Sequence, residues 1–162
     1  MNLNKLSVLG MALLMQILTV NAQASDISGV DAIQSGNSSI YNINPSKINS
    51  SGIGFRQYDN FELSKGDAAN FIMSDISKFV NLVDSKVSIN GLVNTINSDF
   101  SKSNGGLVFI SPEGFVVGSS GVLNVGSLSV YTPDTNTYGK LTSDLTDSIT
   151  NNTDTSFSLN PS

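Results

Sequence analysis

The chain has 162 residues, with 8 Lys and Arg against 13 Asp and Glu and a formal net charge of −5. This acidic balance argues against a nucleic-acid partner, because a protein that grips phosphates needs a basic surface. The sequence contains no Cys and no His. Disulfide cross-links and thiolate chemistry are therefore excluded, and the fold must be held by packing and backbone pairing.

Residues 1–24 are typical of a secretory signal peptide. Lys5 precedes an apolar stretch over residues 6–20, and Ala22 and Ala24 occupy the two positions at which signal peptidase requires small residues. The stretch is interrupted by polar residues and is too short to span a bilayer, which takes roughly 20 apolar residues. We therefore expect cleavage after Ala24 and export of a single domain of ordinary size.

After the leader, short apolar pieces alternate with clusters of Gly, Ser and Asn as far as Ser51, which is typical of brief strands divided by turns. Ile53 and Phe55 then alternate with small or polar residues. Further on, the apolar residues at positions 61 and 63 flank a polar one. This alternation predicts two half-buried strands. Arg56 lies within the first of them, where a solvated position is favoured over a binding role.

The apolar spacing changes over residues 74–83. From Ile72 onward, apolar residues recur mostly at steps of three and four, so that they share one face of a helix. Ser74 is placed to cap this helix, and Asp75 is placed against its positive N-terminal dipole. The segment therefore predicts a short helix packed against the body of the domain.

A glycine followed at once by two apolar residues occurs four times over residues 87–130. The copies are Gly91-Leu92-Val93, Gly106-Leu107-Val108, Gly114-Phe115-Val116 and Gly121-Val122-Leu123. Each copy predicts a corner followed by a strand, because glycine tolerates the positive φ of many corners and the next residues suit a pleated surface. A phase slip at Gly126-Ser127 predicts a bend or bulge.

These elements indicate the fold class. Short strands without helices long enough for crossovers exclude a doubly wound sheet. Gly91 and Gly114 are 23 residues apart, a spacing that suits the coils of a solenoid. An all-β parallel β-helix is therefore favoured, with a β-sandwich as the alternative.

Residues 134–162 form a polar tail. Tyr138, Leu141, Leu145 and Ile149 fall on one helical face, which predicts a helix that covers the last coil. The helix should be weak, because Thr, Asp and Asn are poor helix formers.

The sequence offers no constellation typical of an enzyme. β-Helical lyases and hydrolases need paired carboxylates or an acidic calcium cluster, yet the chain has two Glu, one Arg and scattered Asp residues. Those Asp residues are better interpreted as turn and cap residues. Because no His or Cys is present, Ser lacks its usual activating bases. We therefore expect no catalytic residue, metal or cofactor.

Three ordered blocks of the sequence resemble the two-partner-secretion domain of filamentous-haemagglutinin-type and haemolysin-type exoproteins. The blocks cover residues 54–67, 79–91 and 106–127, and the resemblance extends over about half of the chain. The residues that match the family pattern, and that it implies to be structural, are Phe55, Phe61, Leu63, Gly66, Val83, Ile89, Gly91, Gly118, Asn124 and Gly126.

Two departures from the family pattern concern its hallmark motifs. The Asn-Pro-Asn-Gly hallmark stands here as Ser111-Pro112-Glu113-Gly114, and the Asn-Pro-Asn-Leu hallmark has no copy before Val83. The departures bring the chain nearest to the leukotoxin-type filamentous adhesins. Ser, Pro and Gly at the first, second and fourth positions favour a type I turn. Glu113 should then project into solvent, where a transporter can contact it.

The resemblance implies a right-handed parallel β-helix over residues 25–133, with an N-terminal cap and one or two short helices. It also implies that a TpsB-type outer-membrane barrel with POTRA modules recognises the chain in the periplasm. The domain would then nucleate β-helix folding of a larger adhesin, secreted or held at the cell surface, whose missing C-terminal region binds a host ligand. The alternative is an exported β-helical protein that binds or degrades polysaccharide.

Overall fold

The computed structural model describes residues 23–155. The predicted signal peptide, including Ala22, lies outside the described residues except for its last two residues, of which Ala24 is exposed. Within the described part of the chain, no helix is long and apolar enough to cross a membrane.

The described residues form fourteen short strands followed by one helix. In chain order these are β1 (Asp26–Ile27), β2 (Ala32–Ser35), β3 (Ser38–Ile43), β4 (Lys47–Ile48), β5 (Ile53–Tyr58), β6 (Phe61–Leu63), β7 (Ala68–Ile72), β8 (Lys78–Val83), β9 (Val87–Ile89), β10 (Leu92–Ile96), β11 (Gly106–Ile110), β12 (Phe115–Val117), β13 (Val122–Asn124), β14 (Ser127–Tyr131) and α1 (Thr135–Thr150).

The strands make three sheets. Sheet I has the order β1-β6-β9-β12, sheet II β13-β10-β7-β3-β2, and sheet III β14-β11-β8-β5-β4. The chain visits the sheets in rotation: β5-β6-β7, β8-β9-β10 and β11-β12-β13 each supply one strand to every sheet, and β14 begins a further turn. Successive coils pair in parallel. The chain is therefore a β-solenoid of about three turns, which confirms the predicted parallel β-helix.

The interior of the solenoid is filled by aromatic side chains. The ring of Phe61 lies 5.4 Å from that of Tyr58, 6.0 Å from that of Phe71 and 5.3 Å from that of Phe109, measured between centroids. All four residues are buried. Edge-to-face and stacked contacts of this kind contribute beyond the apolar area that they bury. The solenoid therefore has a solid core that links its successive coils.

Antiparallel strands close the N-terminal end of the solenoid. β1, β2 and β4 lie at the ends of sheets I, II and III, and each pairs antiparallel with its neighbour. Arg56, which the sequence predicts to be solvated, is instead half-buried. Its guanidinium donates hydrogen bonds to the carbonyl oxygens of Gly29 and Asn44 and lies 5.6 Å from the ring centre of Tyr58. The residue thus ties two loops of the cap to the first coil.

The helix predicted over residues 74–83 is wrong. Lys78–Val83 is β8, the central strand of sheet III, and Asp75 lies in a turn with a φ of 65°. Phe79 and Val83 face the interior, whereas Val80 faces a second apolar cluster outside the sheet. A strand that is buried on both faces carries a nearly continuous apolar run, and short runs of this kind resemble a helical pattern.

The predicted helix in the polar tail is present as α1. Asp134 caps it, since its carboxylate accepts hydrogen bonds from the backbone N–H groups of Asn136 and Thr137, each at 2.9 Å. The hydrogen bond from the backbone N–H of Thr137 is the main reason that the pKa of Asp134 lies below its usual value. Tyr138 and Leu145 are buried against the outer face of sheet III. The helix therefore covers a side of the solenoid rather than its last coil.

The chain after α1 returns to the capped end. Asn49 donates a hydrogen bond to the carbonyl oxygen of Thr155 at 2.8 Å, and the backbone N–H of Ser50 donates one to Asp154 at 2.9 Å. The bonds that Ser50 donates lower the pKa of Asp154. Because α1 shares an apolar cluster with sheet III, the described part of the polar tail and the solenoid form one packed unit.

We predict that Leu145→Ala lowers the free energy of unfolding by about 2–4 kcal/mol, because it leaves a cavity between α1 and sheet III. Leu145 is 1% exposed, whereas Ile149, one helical turn later, is 45% exposed. Ile149→Ala is therefore the matched control and should cost less than about 1 kcal/mol. Urea unfolding of the two variants gives the comparison, and equal effects would contradict the packing of α1 on the sheet.

Candidate recognition surface

The four residues of the predicted turn motif connect β11 to β12, as expected. The backbone N–H of Gly114 donates to the carbonyl oxygen of Ser111 at 3.4 Å, which closes a four-residue turn. Gly114 has a φ of 97°, in the left-handed region that residues other than glycine rarely adopt. Pro112 and Glu113 occupy the central positions, and Glu113 is exposed.

Ser111 has a second structural role, which was not predicted from the sequence. Its side chain is buried, and its Oγ donates a 2.7 Å hydrogen bond to the carbonyl oxygen of Ser85 in the coil below. The same Oγ accepts a hydrogen bond from the backbone N–H of Glu113 at 3.2 Å. The hydroxyl thus stabilises the turn and fixes it to the preceding corner, a role that a short polar side chain suits.

The exposed corner continues down the solenoid as a row of acidic residues. The backbone N–H of Asp84 donates to the carbonyl oxygen of Tyr58, and that of Ser85 to the carbonyl oxygen of Asp59. Asp59, Asp84 and Glu113 therefore belong to three stacked corners, and all three residues are exposed. Among the described residues, no hydrogen bond or ion pair holds the carboxylate of Glu113. We call these three residues the acidic corner row; its middle corner also carries the exposed Lys86, and its carboxylates offer negative charge to a partner.

The structure corrects the account of the repeated glycine motif. Each copy does precede or begin a strand, but only Gly114 among the four glycines has a positive φ. At the other three positions an added Cβ would collide with the adjacent coil of the solenoid. A Cβ at Gly106 would lie 2.5 Å from Ser127 Oγ, one at Gly121 2.6 Å from the carbonyl oxygen of Ile89, and one at Gly91 would meet the carbonyl oxygen of Asp67. These three glycines therefore allow adjacent coils of the solenoid to approach one another closely.

The residues that match the family pattern are mostly internal. Phe61, Leu63, Val83 and Ile89 face the filled interior, whereas Phe55 lies in the cluster beneath α1. The matching glycines lie at corners or close contacts: Gly66 has a φ of 91°, and added Cβ atoms at Gly118 and Gly126 would collide with Asn90 and Asn104. These residues therefore serve the architecture, and the exposed corner row is left as the candidate surface.

Asn124 belongs to an amide ladder on the outer face of sheet II. Its Nδ2 donates to Asn94 at 3.1 Å, Asn94 donates to Asn70 at 2.9 Å, and Asn70 donates to Asn42 at 3.0 Å. Stacked amides of this kind favour in-register pairing of identical side chains. Sequence reasoning noted the abundance of Asn at corners but missed this row, whose members recur at intervals of 24 to 30 residues within strands.

Two tyrosines are the titratable groups whose pKa values the fold changes most. No group of three His, Cys, Asp or Glu side chains that could hold a metal ion occurs over residues 23–155. Burial raises the pKa of Tyr58, whose hydroxyl donates to Asn81 at 2.9 Å. Burial, followed by the hydrogen bond to Asp84, raises the pKa of Tyr138. Both phenols therefore remain protonated donors within structural hydrogen bonds.

A groove of about 260 Å³ lies on the outer face of sheet III. It is lined by Ile53, Phe55, Lys78, Val80, Val108, Ser129 and Tyr131. The lining contains one cationic group, that of Lys78, and no carboxylate. The pair of acids that glycoside hydrolysis requires is therefore not present in this groove.

Comparisons with family models, with curated proteins and with solved structures found no match for the chain.

We predict that Gly114→Ala lowers the free energy of unfolding by about 1–2 kcal/mol, because Ala is strained at this positive φ. Nothing lies within 4 Å of an added Cβ at Gly114, so a steric clash would not contribute. Gly139, within α1, has equally open surroundings but no positive φ, and Gly139→Ala should be neutral or stabilise by about 0.5–1 kcal/mol. Urea unfolding distinguishes the two, and an unaffected Gly114→Ala variant would disprove the strain.

Proposed function

We propose that the chain is the N-terminal secretion domain of a larger adhesin, exported to the periplasm and passed to a TpsB-type outer-membrane barrel for two-partner secretion. The observation that carries the proposal is a β-solenoid closed at its N-terminal end, whose 111–114 corner holds an exposed carboxylate on a rigid Pro and Gly frame. The order of the matching blocks along the sequence agrees with it.

The solenoid suits a protein that crosses a membrane unfolded and folds on the far side. Each coil contacts mainly its neighbours, so stability is approximately a sum of coil and neighbour terms. The cap pairs with the first coil through strands close in sequence, such as β4 with β5. Coils that emerge first can fold and template those that follow, which favours outward movement without ATP.

In this scheme, the docking of α1 and of the segment that follows it would be the last step of folding. The hydrogen bonds from Asn49 to Thr155 and from Ser50 to Asp154 span 106 and 104 residues of sequence. Contacts of such long range cost the most loop-closure entropy and require nearly the whole domain to have emerged. The chain also has no Cys that could cross-link it before passage.

The acidic corner row is the proposed contact with the transporter. Glu113 projects from an architectural turn, and neighbouring corners add the carboxylates of Asp59 and Asp84. These three carboxylates favour a complementary basic surface, because electrostatic complementarity raises association rates and fixes register. The POTRA modules of the barrel would supply that surface in the periplasm.

We predict that Glu113→Ala reduces capture by the barrel severalfold while it leaves stability within about 0.5 kcal/mol, as for most surface changes. The measurement compares secreted with periplasmic protein in cells that carry the barrel transporter, beside thermal unfolding of the purified domain. Glu62 is the other Glu of the chain and lies on β6, away from the corner row, so Glu62→Ala is the matched control.

Secretion of Glu113→Ala at the parent level would show that the motif is only a turn, and the contact would then have to lie elsewhere. Secretion of the parent chain that does not depend on the barrel would overturn the proposed function itself. Loss of secretion with Glu62→Ala alone would also contradict the corner row as the contact.

We predict that the exported protein begins at Ser25. In the folded chain Ser25 Oγ donates to Asp67 at 2.6 Å and accepts a hydrogen bond from the backbone N–H of Ser64 at 2.8 Å, so the fold already holds this residue. Intact-mass measurement on periplasmic or secreted material gives the first residue. A retained leader would contradict export by the proposed route.

A further inference from the structure

The last turn of the solenoid differs in composition from the rest of the chain. We define the terminal turn as residues 115–131, which contain β12, β13 and β14. This segment has no charged residue and no Pro, although the whole chain carries 21 charged side chains. Native sheets usually protect their edge strands with charges, Pro or a covering element, because an open edge pairs readily with another chain. The terminal turn has none of the protective residues.

The three strands of the terminal turn lie at the ends of the three sheets. Within residues 23–155, β12, β13 and β14 each have a partner on one side only. The carbonyl oxygen of Tyr131 accepts from Ser111, and the backbone N–H of Val122 donates to Gly91, so these groups point into the solenoid stack. Backbone groups alternate in direction along a parallel strand. Those of the intervening residues, such as Val130 and Leu123, therefore point towards the open edge.

The core beneath these edges is incomplete. Val117 and Val130 continue the inward-facing rows of Ile89 and Phe109, their partners in the coil below. Ile89 and Phe109 are at most 1% exposed, whereas Val117 is 39% and Val130 40% exposed. The terminal turn covers the coil below it, but no described residue covers the terminal turn in the same way. An occupant of this end would gain both apolar contact and backbone pairing.

We propose that two copies of this chain associate end to end through their terminal turns. The other end is less suited to pairing, because its edge strands carry charged residues, Asp26 in β1 and Lys47 in β4, and charges protect an open edge. A second copy presents the same β14 edge, and a two-fold axis through the centre of that strand closes such an interface. The full sequence has a net charge of −5, which becomes −6 when Lys5 is removed with the predicted leader, so the uncharged end is where two copies can meet without like-charge repulsion.

The geometry of the two-fold axis fixes how the strands pair. Turning one copy over reverses the direction in which its chain circulates, so all strands across the interface run antiparallel. β14 has five residues, whereas β12 and β13 have three each. Because β14 stacks on β11, it lies one strand further along the axis than the coil that contains β12 and β13. β14 therefore pairs with its own copy, while β12 and β13 stay unpaired across the interface. Ser129 lies at the centre of β14, opposite itself, while Leu128 and Val130 exchange backbone hydrogen bonds across the interface.

The test begins with sedimentation equilibrium of the chain from Ser25 to Ser162 over a concentration series. We expect a monomer–dimer equilibrium. Val130→Lys should weaken the dimer about tenfold or more, because it inserts a charge between apolar side chains. Val122 is 50% exposed on the same turn but points to the outer face of sheet II, so Val122→Lys is the matched control and should leave the dimer unchanged.

Circular dichroism of both variants establishes that they fold. Should Val130→Lys fail to fold, Leu128→Lys tests the same strand, because Leu128 is the other inward-facing apolar residue of β14. The proposal is overturned by a chain that stays monomeric at every concentration, or by a dimer that the folded inward-facing Lys variant does not weaken. It is independent of the proposed function, because neither result depends on a transporter.

A cysteine pair tests the assigned register, since the native chain contains no Cys. A residue opposite itself at a non-hydrogen-bonded position has Cα atoms about 4.5 Å apart, which a disulfide can bridge. Ser129→Cys should therefore cross-link copies on mild oxidation. Ser127→Cys, on the same face of the strand, would hold its two sulfur atoms about 14 Å apart and should not cross-link. Equal cross-linking of the two variants would overturn the self-pairing of β14.

Discussion

The stacking of one coil on the next is the constraint on which the rest of the structure depends. Parallel pairing holds neighbouring strands about 4.8 Å apart, so a side chain in one coil contacts its equivalent in the next. Each position therefore has one requirement that repeats along the axis. Inward positions are filled by rings such as Phe61 and Phe109, close-approach positions by glycine, and one outward row of sheet II by asparagine amides.

Features determined by neighbouring residues were predictable from the sequence. The turn at residues 111–114, the strands on either side of it and the period of α1 all depend on residues within a few positions of one another. The β-solenoid itself was also predictable, because glycine corners and short strands recur at coil spacing. The family resemblance agrees with this fold class, but the function it implies is still a proposal.

Features that depend on contacts between distant segments were not predictable. β8 resembled a helix because α1, more than 50 residues later in the sequence, buries its outer face. Arg56 appeared to be a solvated strand residue because its partners, Gly29 and Asn44, belong to cap loops. Gly91 appeared to need an unusual φ, whereas the carbonyl oxygens of the preceding coil leave it no room for a side chain. Each wrong prediction concerned a residue whose environment is set by a segment far away in the sequence.

The two ends of the solenoid are unequal, and α1 accounts for the difference. After β14 the chain leaves the solenoid axis, packs α1 along sheet III and returns to Asn49 near the cap. The capped end thus receives the first strands and the last described residues, while the terminal turn has no covering element among residues 23–155. An edge of this kind is stable in isolation only if its apolar surface is tolerated in water. The same geometry that lets coils add one after another during folding therefore leaves a surface with the chemistry of an interface.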